Sequence, residues 1–518
     1  MDKKKGFLNI IVAVISRLIV LFGALIIRRL LIQYIGNDAT GLNSLYSSII
    51  GILSVAELGV GSAIVFSMYR PIVEGDDKSI VALYCLYNKL YRIIGLVIFC
   101  AGLLVMPFLP RFIKDYHYLT INVYLTFLLV LVSVVVTYLY GAKISLIEAH
   151  KDNYITTGIL AISRLITYGL QMAVILIWRS FVFYLLCQIM DTLLIWGLTE
   201  IVVRKKHGDI IRRHEVIDIA MKKEITENIK AMFMHRIGSV MANTIDSLII
   251  SSLIGVTILG KYSNYSMIAS VLSGTIALFF TPLTSVVGHL CAEGEKDKIK
   301  EYYDYFYCMN YFLGVFFFLG YYAVIDNVVR LCFGTGVEMA RIITFIVTLN
   351  QFTKYMRNTQ LLFRNATGTF YYDRWKPLIE GSCNLVLSLF LVKIFPENLK
   401  IVGVILATII TTLLICDIVD PYVVFVHAFG MKPWKFCLKN YCYIGLFTAS
   451  LCVMTLLETR VESDIAGILA NGAISIGISG ALLVAVAIVD KGVMKAWLKT
   501  MRMMHGEKIV LLLRNKGQ

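Results

Sequence analysis

Long apolar runs alternate with short polar breaks along nearly the whole chain. Fourteen runs can be drawn, at about 8–34, 42–68, 84–106, 119–139, 154–178, 181–203, 229–254, 260–287, 303–325, 340–362, 377–395, 401–427, 437–457 and 465–489. A helix needs about 20 apolar residues to cross a bilayer, and most of the runs reach that length. The pattern predicts an all-α polytopic membrane protein of about 14 transmembrane helices. Lys3, Lys4 and Lys5 lead straight into the first run with no small-residue cleavage site, so that run reads as a retained span and not a signal peptide.

Composition agrees. The 518 residues are 58% hydrophobic and 16% charged, against about a quarter charged in soluble domains. The net charge of +15 sits in short loops and at the C-terminus, so it reads as topological and no nucleic acid is expected. The eleven cysteines are scattered without a CxxC pair, as small apolar residues would be. No metal and no cofactor is implied.

Lys and Arg set the orientation. The N-terminus, the even-to-odd loops and the tail hold roughly thirty of them, and the opposite loops fewer than ten. Both termini are therefore expected in the cytoplasm, with the chain multi-pass in the cell membrane. The tail from Lys491 mixes basic residues with Trp497, Met501 and Ile509, and is expected to lie on the anionic inner leaflet.

The chain also resembles itself. Displaced by 219 positions, residues 35–54 meet 254–273 with nine identities in twenty positions, where composition gives about two. The same register places Arg17 on Arg236, Gly95 on Gly314 and Arg111 on Arg330. The displacement moves span one onto span seven, an even number of spans, so the two halves form a parallel repeat about an axis along the membrane normal. The expected organisation is two parallel six-helix repeats plus two C-terminal helices. An N-terminal six-helix bundle (1–203) leads to a cytoplasmic basic loop (204–228) and a second bundle (229–427). Two additional spans (428–490) and a basic cytoplasmic tail (491–518) follow.

Charges within spans cost at least about 2.5–3.5 kcal/mol each at mid-membrane, so they are expected to face water or one another. Span one carries Arg17, Arg28 and Arg29, and span two carries Glu57. Spans five and six carry Arg164 and Asp191, and span seven Arg236, Asn243 and Asp246. Lys354 and Arg357 lie in span ten, Glu380 and Asn384 in span eleven, and Asp417 and Asp420 in span twelve. The surplus of cations suits an anionic substrate, above all a phosphate, for which Arg offers a planar fork. Arg17, Arg28, Arg236, Asn243, Lys354 and Arg357 are the expected substrate-binding residues. Glu57, Asp246 and Asp417 are the candidates for ion coupling. Arg28, Arg29, Asp191 and Asp420 lie near span ends or counter-charges, where snorkelling or internal ion pairing is the competing explanation. No GxxxxGK[ST] sequence and no HExxH occurs. The loop after span two lacks the major-facilitator pattern.

Several of these segments resemble Wzx-type polysaccharide flippases. They are Ser16-Arg17, Tyr34-Ile35-Gly36 with Gly41-Leu42, Ala56-Glu57-Leu58-Gly59-Val60-Gly61, and Asn243 to Ser251 followed by Gly255 and Gly260 to Tyr265. That family shares a superfamily with multidrug MATE exporters and the lipid II flippase. The resemblance covers nearly the whole chain and matches the fourteen-span count. It implies translocation of undecaprenyl-pyrophosphate-linked oligosaccharide across the cytoplasmic membrane for capsule, O-antigen or exopolysaccharide assembly. Membrane lipids, a polysaccharide polymerase and assembly proteins are the implied partners, and the two extra helices are implied to hold the lipid tail. Arg17 matches a first-helix arginine that lines the cavity in the lipid II branch. Under this resemblance the chain is a transporter and not an enzyme. The alternatives are a multidrug or small-molecule exporter of the same superfamily and, behind it, an integral-membrane polysaccharide polymerase. External loops of at most about fifteen residues, without paired carboxylates, disfavour glycosyl chemistry.

Overall fold

The computed structural model describes residues 3–57, 60–150, 152–218, 240, 244–280, 287, 296–369, 372–459, 461 and 463–490. Among the described residues there is helix and no strand, as a bilayer demands of a chain that satisfies its own backbone groups. The helices, in chain order, begin with α1 (Lys3–Tyr34), α2 (Asn37–Leu53), α3 (Val60–Glu74), α4 (Asp77–Val105), α5 (Val123–Ala149), α6 (Asn153–Trp178) and α7 (Phe181–Arg212). Next come α8 (Thr244–Ile254), α9 (Val256–Phe280), α10 (Lys296–Phe333), α11 (Arg341–Met356), α12 (Asn358–Thr367) and α13 (Lys376–Ile394). The last are α14 (Lys400–Thr411), α15 (Asp417–Tyr422), α16 (Trp434–Leu457) and α17 (Asp464–Val489). Nine helical stretches among the described residues are long and apolar enough to cross a membrane.

Local chemistry sets several helix ends. Asp76 caps α4 by accepting from the Ser79 N–H at 3.2 Å, and Asn122 caps α5 by accepting from Leu125 N–H at 3.1 Å. Helix α7 runs past residue 203, where the sixth apolar run ends, into the basic segment. Glu200 and Arg204, one turn apart, pair at 2.6 Å and support the extension.

Among the described residues, three spans drawn as single runs are interrupted. Span two splits into α2 and α3 around a 3₁₀ turn at Ser54–Glu57, next to Gly59 and Gly61, both poor helix formers. Span ten splits at Arg357, between α11 and α12. Span twelve splits into α14 and α15 around a π-turn at Thr412–Cys416, and a second π-turn occupies Val423–Phe429. Pro421 lies in the short helix between them and cannot donate a backbone hydrogen bond. Such wide turns recur at functional sites.

The chain folds into two compact units. The first comprises Met1–Ser263 and Cys332–Val337, and the second Asn264–Leu331 and Glu338–Gln518. In the first, α1 packs on α6, and α5 packs on both α4 and α7. In the second, α14 packs on α13 and α11, and α16 on α17. The core of the second unit is aromatic. Tyr303, Phe363, Phe425, Phe429 and Phe436 meet mostly edge to face, while Phe352 and Phe447 stack with centroids 3.6 Å apart. Outward-facing Phe22, Leu96, Leu104, Ile177, Phe390 and Leu456 form the apolar exterior that lipid requires.

The repeated turns have the same backbone. Gly36 and Gly255 both have φ in the glycine-only region, at 110° and 139°, with ψ of 170° and 156°. The two turns also meet inside the first unit. A side chain on Gly41 would overlap the Val256 carbonyl, and one on Gly260 would overlap the Asn37 carbonyl. Under the 219-residue displacement Asn37 corresponds to Val256, and Gly41 to Gly260. The two approaches are thus reciprocal, as across a local two-fold axis. Asp38 and Thr257, also equivalent, hydrogen-bond directly at 2.5 Å. Farther along, the equivalent glycines Gly95 and Gly314 each receive a tyrosine ring, Tyr138 and Tyr355 respectively.

Candidate functional site

The interruptions and the intramembrane charges coincide. Glu57 ends the 3₁₀ turn of span two. Arg357 occupies the junction of α11 and α12. Asp417 begins α15 directly after a π-turn. Asp246 lies four residues before the π-turn that closes α8. A broken helix exposes backbone groups that only a protein interior or a wet cavity can satisfy.

Glu57, in the first unit, is held by neutral donors. The Tyr91 hydroxyl donates to its Oε1 at 2.8 Å, and the Tyr138 hydroxyl to its Oε2 at 2.7 Å. Tyr91 and Tyr138 lie beside one another, their rings 5.5 Å apart. Asp191 is 1% exposed and accepts from the hydroxyls of Ser163 and Thr167 at 2.8 and 3.0 Å, with Arg164 at 3.1 Å. Internal pairing is therefore what Asp191 does. Arg28 is half-buried and donates to Ser263 Oγ, whereas Arg17 and Arg29 are exposed on α1. Asp246 is buried.

The second unit holds a continuous ion network. Arg357 donates to Asp420 Oδ2 at 3.0 Å and stands 3.5 Å from Glu380. Lys376 pairs with the other oxygen of Asp420 and lies 3.7 Å from Asp373, which also accepts from Arg364 at 2.5 Å. Arg364, Asp373, Lys376, Asp417 and Asp420 are all buried. Asp417, 1% exposed, lies in the field of Arg357, Lys376 and Asp420 with the Asn440 amide beside it, and forms no ion pair among the described residues. Lys354 is half-buried on α11, and Asn384 donates to Thr408 at 2.8 Å.

Of the expected substrate-binding residues, the structure thus brings Arg357 into an ion network and Arg28 onto a serine. Arg236 and Asn243 lie outside the described residues, as does the tail from 491. Sequence reasoning missed Arg364, Asp373 and Lys376, because residues 363–376 fall between the spans drawn at 340–362 and 377–395. The signal was present in Asp373, Lys376 and Glu380, spaced to line one helix face.

Comparison with known proteins gives the arrangement its context. The family described as polysaccharide biosynthesis protein matches residues 5–285, more than half of the chain. No curated protein matches the chain in sequence. Among solved structures, it is similar to the lipid II flippase MurJ in an inward closed conformation, at 14% identity and TM-score 0.62, over 93% of this chain and 99% of that one. It is also similar to a multidrug resistance MATE family transporter of the MOP superfamily in an inward-facing conformation. There the identity is 13% and the TM-score 0.57, over 84% of this chain and 99% of that one. At such identities the likeness is one of fold. The chain belongs to the polysaccharide biosynthesis protein family and shares the polytopic helical fold of the solved lipid II flippase and MATE family transporter.

Proposed function

We propose that this protein flips polyprenyl-pyrophosphate-linked oligosaccharide from the cytoplasmic to the outer leaflet, by alternating access. The observation that carries the reading is the family match on this fold, whose solved neighbours include a lipid II flippase. Physical chemistry supplies the rest. A pyrophosphate cannot pass through hydrocarbon without counter-charges. Arg17, Arg28, Arg236 and Lys354 would supply them, with Asn243 as a polar contact to the substrate, while the glycan rides in water and the polyprenyl tail stays in lipid. A drug exporter needs no such surplus of cations.

Arg357 takes a different place in this reading. Among the described residues, the network of the second unit counts three cations (Arg357, Arg364 and Lys376) against four carboxylates (Asp373, Glu380, Asp417 and Asp420). It lacks one positive charge, and a proton or alkali cation on Asp417 would complete it. Asp417 is therefore the preferred coupling residue, with Glu57 and Asp246 behind it.

Complementation of a strain lacking its own oligosaccharide flippase tests the reading, with protein abundance checked by immunoblot. The wild-type chain should restore surface polymer. Arg17→Ala and Arg236→Ala should abolish it at normal abundance, and Arg17→Lys should restore it only in part, since an ammonium lacks the bidentate fork. Full polymer from both alanine variants would overturn the role of these arginines. Drug efflux without polymer from the wild-type chain would favour the exporter.

A further inference from the structure

A second cationic feature lies far along the chain from the arginines of α1, inside the first unit. The ends of α4, α5 and α7 that the Lys/Arg bias assigns to the cytoplasm line a half-open cavity of about 770 Å³. Its charged lining is Lys89, Arg92, Lys143, Glu200, Arg204 and Arg212, five cations against one carboxylate. Glu200 is fully engaged, pairing with Lys143 and, at 2.6 Å, with Arg204. Lys89, Arg92 and Arg212 are left with no carboxylate partner among the described residues. The fourth wall is the chain just beyond α7. It folds back so that the Cys85 thiol lies 3.7 Å from the Arg213 carbonyl and 3.8 Å from His214 Nδ1. The cavity is thus bounded by four segments and is not a row of lysines on an open surface.

Three like charges converging on one cavity repel one another unless an anion joins them, and Arg-rich clusters match phosphate geometry. The surrounding surface says what carries that phosphate. Lys89, Arg92, Ile93 and Leu96 stand at positions i, i+3, i+4 and i+7, so they share one face of α4. Beyond the cations that face is apolar and exposed, with Ile93 at 48%, Leu96 at 62% and Val97 at 49%. A soluble phosphate would need only the charged half of this surface. A lipid uses both halves, its headgroup on the cations and its chain on the apolar stripe.

We propose that this cavity holds the phosphate headgroup of an inner-leaflet lipid, whose hydrocarbon chain lies along Ile93, Leu96 and Val97. The site is independent of the flippase reading: any phosphate-bearing lipid of the cytoplasmic leaflet fits the chemistry, whether it is cargo or a resident.

The test is native mass spectrometry of the full chain, released from detergent with dioleoyl phosphatidic acid, dioleoyl phosphatidylcholine or inorganic phosphate. Phosphatidic acid should be retained over phosphatidylcholine, and inorganic phosphate at equal concentration should not displace it. The triple variant Lys89→Gln, Arg92→Gln, Arg212→Gln should hold phosphatidic acid at least about tenfold less well. Leu96→Asn should weaken the lipid too, by a smaller factor. A charge-matched variant outside the cavity, Lys78→Gln with Lys205→Gln and Arg70→Gln, should bind as wild type. Where the triple variant does not fold, Arg92→Gln alone should give a weakening of several-fold. Retention of phosphatidic acid by the cavity variants would overturn the proposal. So would equal loss in the charge-matched control, or displacement by inorganic phosphate.

Discussion

The two repeats handle the same internal position in opposite ways. In the first half Glu57 is clamped by the hydroxyls of Tyr91 and Tyr138. Carried forward by 219 residues, Glu57 falls on Ile276, which is fully buried, and Tyr91 falls on Asn310. The ring that packs on the equivalent glycine is still a tyrosine, Tyr355, but its buried hydroxyl has no partner among the described residues. The repeat has kept what the backbone needs, namely the positive-φ glycines and the close-approach glycines, while the ring that fills the second hollow comes from a different position, since Tyr138 falls on Arg357 and Tyr355 on Val136. At the position of Glu57 it has not kept charge. At this position the first half holds an acid with neutral hydroxyls, whereas the second has none there and gathers its charges into the network around Asp420. Steric constraints are shared by any two halves that pack alike, while charge follows the task of each half.

The comparison breaks first at the network. Asp420→Asn removes the carboxylate that takes both Arg357 and Lys376. Unpairing a buried charge costs about 3–5 kcal/mol, so this variant should show the largest fall in melting temperature in detergent. Asp191→Asn in the first half loses one half-exposed arginine partner, 43% exposed at Arg164, and should fall less. Equal loss at both sites would mean that charge is handled alike in the two halves.

The shared backbone is the second point of attack. Gly41→Ala and Gly260→Ala each drive a methyl into a main-chain carbonyl that cannot rotate away. Each should cost about 1–3 kcal/mol, the usual penalty of overpacking. Gly51→Ala, where the nearest atom is a Thr244 methyl at an ordinary 3.5 Å, serves as the neutral control. Similar losses at Gly41 and Gly260 would support the reciprocal packing of the two turns. A loss at only one would show that their resemblance stops at sequence.

Much of this was legible in the chain. Helical spans follow from run length, and the repeat follows from identities such as Gly36 with Gly255, which mark backbone that only glycine adopts. Glu57, Arg357 and Asp417 stood out because charge in an apolar run is costly. What escaped was the broken course of spans two, ten and twelve. Hydropathy averages over a run and does not register a π-turn that changes hydrogen bonding but not composition. The cavity by Lys89 and Arg92 escaped for a different reason. Its cations come from three helices that lie far apart in the chain, and each alone looks like an ordinary membrane-edge charge.

The finest test separates the two tyrosines that pack on equivalent glycines. Tyr138→Phe removes a donor to the Glu57 carboxylate, and hydrogen bonds to charged groups contribute about 1.5–3 kcal/mol. Tyr355→Phe removes a buried hydroxyl that has no partner among the described residues, so it relieves desolvation without losing a bond. That variant should change little, or stabilise by up to about 1 kcal/mol. The ring is retained in both, so the packing on Gly95 and Gly314 is held constant and the difference reads the hydroxyl alone. Thermal unfolding in the same detergent should then rank Tyr138→Phe below wild type and Tyr355→Phe at or above it. If Glu57→Gln is added, the cost of Tyr138→Phe should shrink, because the acceptor is no longer charged. An undiminished cost in that background, or a marked loss in Tyr355→Phe, would mean that the two positions differ in packing and not in the acid that only one of them serves.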